Sequence, residues 1–288
     1  MMALSVALAL LAALGNAAAS VLQRRAAADL GGTKGGRAST AALLRQRVWV
    51  WGAALLGFSG ICQALALATG PLSVVQPVMS TELLFTLVVG GVVFRRRPDR
   101  RAWAAFAAMS VGLGGFLALA APTGGRETAL VVHWVWTGIA VAAVAGLLIA
   151  VSSRLPSAAR AAVLGTATAI GFACTAALLK DAFGRLPDGI GAVLAAWQPY
   201  AAVGLGIGSF VLLQVTLRAG TLAASQPALT LGDALLSVVL GVVIFDEGVR
   251  LGWRTPFEAV ALGLLVAGCV GLSRSPLLAE GPGGGGKW

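Results

Sequence analysis

The chain has 288 residues, of which 58% are hydrophobic and 11% charged; an ordinary soluble domain carries roughly 25% charged residues. So few ionic groups could not cover a water-soluble fold of this size. The net charge of +10 does not indicate nucleic acid either, because the cations sit in short runs between apolar blocks, as in Arg95-Arg96-Arg97 with Arg100 and Arg101, instead of clustering on one soluble face.

The apolar blocks repeatedly reach the length of about 20 residues that a helix needs to cross hydrocarbon. In chain order they predict nine spans, at 3–23, 48–68, 72–94, 102–121, 131–152, 161–180, 196–217, 222–245 and 256–273. The first has no basic residues ahead of it and is read as a retained helix, not a cleaved leader. Helices are the expected form, since backbone in lipid must satisfy its own hydrogen bonds. Between these spans, sixteen of the Lys and Arg residues fall on one side and five on the other. The positive-inside rule then places the N-terminus outside and the C-terminus in the cytoplasm, as expected of a multi-pass protein of the plasma membrane. Trp49, Trp51, Trp103, Trp134, Trp136, Trp197 and Trp253 lie near span starts, the headgroup level that indole favours. His133, beside Trp134, reads as interfacial, and Lys180-Asp181 as a snorkelled pair at a helix end. The Gly-rich stretch within 274–288 reads as a disordered tail.

Shifting the chain by 150 residues aligns Leu14-Gly15 with Leu164-Gly165, Ser59 with Ser209, Gln76-Pro77 with Gln226-Pro227, and Gly91-Val92-Val93 with Gly241-Val242-Val243. Gly112-Leu113 meets Gly263-Leu264 after a one-residue slip. The organisation expected is a first four-helix repeat over 1–121, a linking fifth helix within 122–155, and a second repeat over 156–273. An odd number of crossings separates the repeats, so the second is inverted. Inverted repeats around a midplane site are the common plan of secondary transporters.

These residues resemble the drug/metabolite transporter superfamily. The phrase Ala68-Thr69-Gly70-Pro71-Leu72-Ser73-Val74-Val75-Gln76-Pro77 is similar to the superfamily's junction into a Pro-containing helix. Ile244-Phe245-Asp246-Glu247 is similar to its acidic helix ending, where the first copy has Arg95-Arg96-Arg97 instead. EamA-like members usually have ten helices; a four-one-four plan of nine resembles the NIPA-type magnesium transporters of the same superfamily.

Two carboxylates, Glu82 and Asp233, fall near the centres of the third and eighth spans. A charge there costs on the order of 2.5–3.5 kcal/mol, which turns such residues toward the bundle interior. A carboxyl away from water favours its neutral form, which suits a proton or cation relay; a hydrogen-bonded interhelical pair is the structural alternative. Gln226, Thr230, Asp233 and Ser237 share one helix face, and Asn16, Ser20 and Gln23 form a second polar stripe. Gln76 shares a face with Ser80, and Glu82 with Thr86. Such stripes line a path or bridge helices. Pro77 and Pro227 lack an N–H and favour kinks, so they are candidate hinges. Glycines such as Gly112, Gly114, Gly115, Gly204, Gly206 and Gly208 read as packing positions. Cys62, Cys174 and Cys269 read as small core residues.

The sequence thus predicts an all-α integral membrane transporter of a small organic metabolite or drug, coupled to protons or cations through the central acids. The alternative is a magnesium or other divalent-cation transporter, for which oxygen ligands suit the ion. No catalytic pair, metal-ligand cluster or cofactor motif lies within a span, so neither an enzyme nor a cofactor is expected. The expected partners are the lipid bilayer and a small solute or ion, with no nucleic acid; a homodimer is compatible with this plan.

Overall fold

The computed structural model describes residues 2–31, 46–93, 99–120, 125–219, 222–248 and 255–273. The Arg95–Arg97 run, the Gly220 junction, the cations of 249–254 and the tail 274–288 lie outside these residues, and so does the Gln226 side chain.

The described chain forms helices α1 (Met2–Gly31), α2 (Arg47–Thr69), α3 (Leu72–Met79), α4 (Glu82–Val93), α5 (Arg100–Ala120) and α6 (Val131–Ser152). There follow α7 (Ser157–Phe183), a 3-10 turn at Leu186–Asp188, α8 (Ile190–Ala195), α9 (Gln198–Ala219), α10 (Leu222–Phe245) and α11 (Thr255–Ser273). Several prolines stand where the chain enters a helix: Pro71 and Pro156 are the caps of α3 and α7, and Pro199 and Pro256 lie in the first turns of α9 and α11. A missing N–H costs nothing at those positions. α1 runs past its predicted end at 23 because Ala26-Ala27-Ala28 continues it with the strongest helix former.

Among the described residues, eight spans are long and apolar enough to cross a membrane, with α3 and α4 together making one of 22 residues. α11 is a shorter case, with an apolar part at Pro256–Gly271. Large apolar side chains cover the outside of the bundle; Trp51, Trp136, Leu147, Ile207 and Val260 are all more than half exposed. In water such a surface would aggregate, whereas lipid satisfies it. This is an all-α membrane protein.

The third predicted span departs from a single helix. Pro77 cannot donate to Ser73 O. Just beyond it, Ser80 N is shared between Gln76 O (3.3 Å) and Pro77 O (3.2 Å), and Thr81 N turns tightly onto Val78 O (3.0 Å). The hydroxyls of Ser80 and Thr81 bond back to Pro77 O at 2.6 Å and Val78 O at 2.7 Å. Hydroxyls that compete for carbonyls in this way unsettle a helix, and the chain breaks between α3 and α4. Pro227, at the equivalent sequence position, sits inside the unbroken α10.

α1 packs along α2, α3 and α4; α7 packs along α9 and α10; α5 packs along α11; and α3 packs on α10. The broken span is the most enclosed of those crossing the bundle, while α6 and α9 lie at its edge. The α5–α11 seam depends on small residues. A Cβ on Gly112 would strike the backbone of Leu265 and Ala261, and one on Gly268 would strike Met109 and Ala105. Gly115 packs on Ala261 and Gly206 on Thr175, but Gly114, Gly204 and Gly208 face open space, so they are not the packing positions expected. Gly112→Val should therefore wedge α5 from α11 and destabilise the fold by about 1–3 kcal/mol, the usual cost of overpacking. Gly114→Val should cost far less. Thermal unfolding in detergent reads both, and equal shifts would refute the seam.

Candidate functional site

The break in the third span gives Glu82 its setting. It lies in the first turn of α4, where the helix dipole favours a negative charge and Leu83 N–H donates back to Ser80 O at 3.2 Å. Asn16 of α1 donates Nδ2–H to Glu82 Oε2 at 2.6 Å. Thr86 bonds the backbone carbonyl of Glu82 at 2.7 Å, so its hydroxyl braces the helix and leaves the carboxylate alone. Asp233, from the middle of α10, lies within electrostatic reach of Glu82 and of the Cys174 thiol on α7. The two acids, both half-buried, thus stand on α4 and α10, with Asn16 of α1 on Glu82 and Cys174 of α7 near Asp233.

Asp233 Oδ1 is buried without a hydrogen-bond partner among the described residues. So is the hydroxyl of Ser237, one turn further along α10 and fully buried. Buried polar atoms in folded proteins are paired in the large majority of cases; the other unpartnered side-chain atoms among the described residues include Gln46 Oε1, Ser73 Oγ, Gln198 Oε1 and Glu258 Oε1. Thr230, Ser20 and Gln23 are half-buried on the side of the acids facing the starts of α10 and α2, and Gln23 rests against Gly52 of α2. Gln76 is buried on α3, four residues before the break.

At the opposite end of the bundle stands a polar network, where the sequence predicts a snorkelled Lys180-Asp181 pair at a helix end. Lys180 and Asp181 do not pair with each other as a snorkelled couple. They are 6% and 0% exposed, and the turn of α7 sends them to different partners. Lys180 Nζ meets Glu247 Oε1 at 2.5 Å and Gly70 O at 3.3 Å, with the Phe245 ring beneath it at 4.8 Å. Asp181 accepts from Trp134 Nε1 (2.7 Å), Gln198 Nε2 (3.0 Å), Ala129 N (3.2 Å) and Arg185 (3.4 Å). Trp134 is buried at a T-shaped contact with Trp197, so its ring is held by an acid inside the protein as well as by its place at the interface. His133 Nδ1 lies 3.2 Å from Ile244 O.

Glu247 reaches this network through a backbone reversal. Asp246 adopts φ 53°, the left-handed conformation that Asp tolerates better than most residues, and Glu247 N folds back onto Gly241 O at 3.1 Å. The Glu247 carboxylate then accepts the first N–H groups of α3, from Leu72 at 2.7 Å and Ser73 at 2.8 Å. Asp246 pairs in the open with Arg126 at 2.8 Å. The only advance sign of Glu247 was its acidic helix ending; nothing local announced its burial. Glu258, buried in the first turn of α11, was also not anticipated.

A groove of about 660 Å³ opens between α6, α7 and α9, walled by residues such as Gly138, Val141, Ile170, Leu205 and Leu212. It is almost wholly apolar and touches the acidic region only at Cys174.

Fold and site together define a multi-span helical membrane protein that carries two carboxylates, Glu82 and Asp233, within its spans. The chain is 26% identical over 238 residues to an uncharacterized protein of Corynebacterium glutamicum, a match that covers 81% of this chain and 82% of the relative. No protein-family profile matches it, and no solved structure does.

Proposed function

We propose that the protein is a secondary transporter of a small organic metabolite or drug in the plasma membrane, coupled to protons or cations through Glu82 and Asp233. The observation that carries this reading is the half-buried Asp233, one carboxylate oxygen of which is buried and unpartnered among the described residues, within electrostatic reach of Glu82. A static interhelical pair would close its hydrogen bonds; a site that loads and unloads a cation needs oxygens held ready. The break beside Glu82 supports the same view, because discontinuous helices at mid-membrane are where transporters expose backbone and charge to cargo. So does the packing: the first span rests on the second and third as the sixth rests on the seventh and eighth, the pattern of two related halves. On this reading α11 is the ninth crossing, the halves are inverted, the N-terminus is outside, and the chain resembles the drug/metabolite transporter superfamily.

The test is reconstitution into proteoliposomes with a pH-reporting dye inside. Addition of the true solute should move protons or accumulate that solute against its gradient. If a broad panel of metabolites, drugs and divalent ions moves nothing while the protein remains folded, the transport reading fails. Magnesium uptake without organic solute uptake would select the divalent-cation alternative. No group of three or more metal-ligating side chains forms among the described residues, so an ion on that path would keep part of its water shell.

A further inference from the structure

We propose that Glu247 is a latch: it holds the short helix α3 shut across one end of the bundle, and its release opens that end toward Glu82 and Asp233. α3 has eight residues and two unusual ends. At one, its first N–H groups, from Leu72 and Ser73, are given to the two oxygens of a single side chain that arrives from the far half of the sequence. At the other lies the break at Ser80-Thr81, followed at once by Glu82. The segment is therefore tied at one end and jointed at the other, and any swing about the joint moves the start of the helix that carries Glu82.

The tied end is sealed. Leu72, Ile244, Phe245 and Ser5 are fully buried around the carboxylate, whereas Ser20, Gln23 and Thr230, on the opposite side of the acids, are half-buried. The fastening is ionic: Lys180 of α7 holds Glu247 from below. A buried ion pair is a poor choice for plain stability, since apolar groups of the same volume do as well or better. It is a good choice for a contact that must form in one state and part in another, because its strength depends on geometry and on exclusion of water. The notch for it is cut in α10: a Cβ on Gly241 would run into the Glu247 carboxylate. Hinged short segments of this kind are a recurrent element of switching proteins.

This inference rests on the transport reading only for what the opening serves; its test uses no solute, so either can fail alone. Ser73 is fully buried at the tied end, and Ser73→Cys changes its shape little. In a background with Cys62, Cys174 and Cys269 changed to Ala, the purified protein is placed in proteoliposomes with a membrane-impermeant maleimide on both faces. With Glu247 intact, Cys at 73 should label slowly. Glu247→Gln should raise the rate at least tenfold, and Glu247→Asp, which keeps the charge on a shorter stem, should fall between. If the Gln variant does not fold, Asp and Lys180→Gln carry the comparison. Met109→Cys, fully buried at the α5–α11 seam, should stay unlabelled throughout. Equal labelling at 73 with and without the latch overturns the proposal, as does a parallel rise at 109.

Discussion

Asp233→Asn should abolish coupled solute movement in reconstituted vesicles, lowering its initial rate by about 100-fold or more, equivalent to ~2.8 kcal/mol. Asparagine copies the shape of the side chain but can neither take up a proton nor carry the charge that balances a bound cation. The fold should not suffer. One oxygen of the carboxylate is buried and unpartnered among the described residues, and such an atom costs stability instead of supplying it. The Asn variant should therefore melt at the same temperature as the native protein or somewhat above it. Rates measured across a range of pH should lose whatever dependence the native protein shows. An Asn variant that transports at the native rate with the native pH profile would remove Asp233 from the mechanism. Glu82→Gln offers an internal comparison, because Glu82 keeps company with Asn16 and a helix start, and its loss should disturb the fold as well as the transport.

How far the sequence could anticipate this site follows from what is local and what is not. The spans were legible because crossing a membrane imposes an uninterrupted apolar length, a property of consecutive residues. Glu82 and Asp233 were legible for the complementary reason: a charge inside such a length is expensive wherever it sits, so its presence needs an explanation. The Asn16–Glu82 bond was only half legible, since the stripe on the first span did not say which neighbour it would face. The break after Met79 was harder. Pro77 was visible, but a proline alone kinks a helix; the interruption also needed the hydroxyls of Ser80 and Thr81 to turn back onto Pro77 O and Val78 O. Pro227 has no such pair behind it, and α10 runs on through it. Lys180 and Asp181 read as a snorkelled pair because charges at span ends are usually wet, and Glu247 read only as an acidic helix ending. Their burial depends on four chain segments meeting at one end of the bundle. That meeting is a consequence of the whole topology and leaves no local mark.

The latch residues also make the sharpest claim about stability. Lys180→Met should destabilise the protein by about 3–5 kcal/mol, because it leaves the Glu247 carboxylate buried beside a sulfur-bearing chain with no counter-charge. The two N–H groups from α3 soften this loss without cancelling it, since hydrogen bonds to neutral donors do not restore the lost ion pair. Adding Glu247→Gln to Lys180→Met should recover a good part of the loss: the double variant carries no buried charge, and the Gln amide oxygen can still accept from the start of α3. The two single changes should thus be strongly non-additive, as residues in direct contact are. Unfolding in detergent for the native protein, both single variants and the double variant gives the coupling directly. A charge exchange, Lys180→Glu with Glu247→Lys, should by contrast fail to rescue. It would point an ammonium at the N–H groups of Leu72 and Ser73, where only an acceptor fits. Rescue by the exchange, or simple additivity in the cycle, would show that the pair is packed there for its volume and not for its charge.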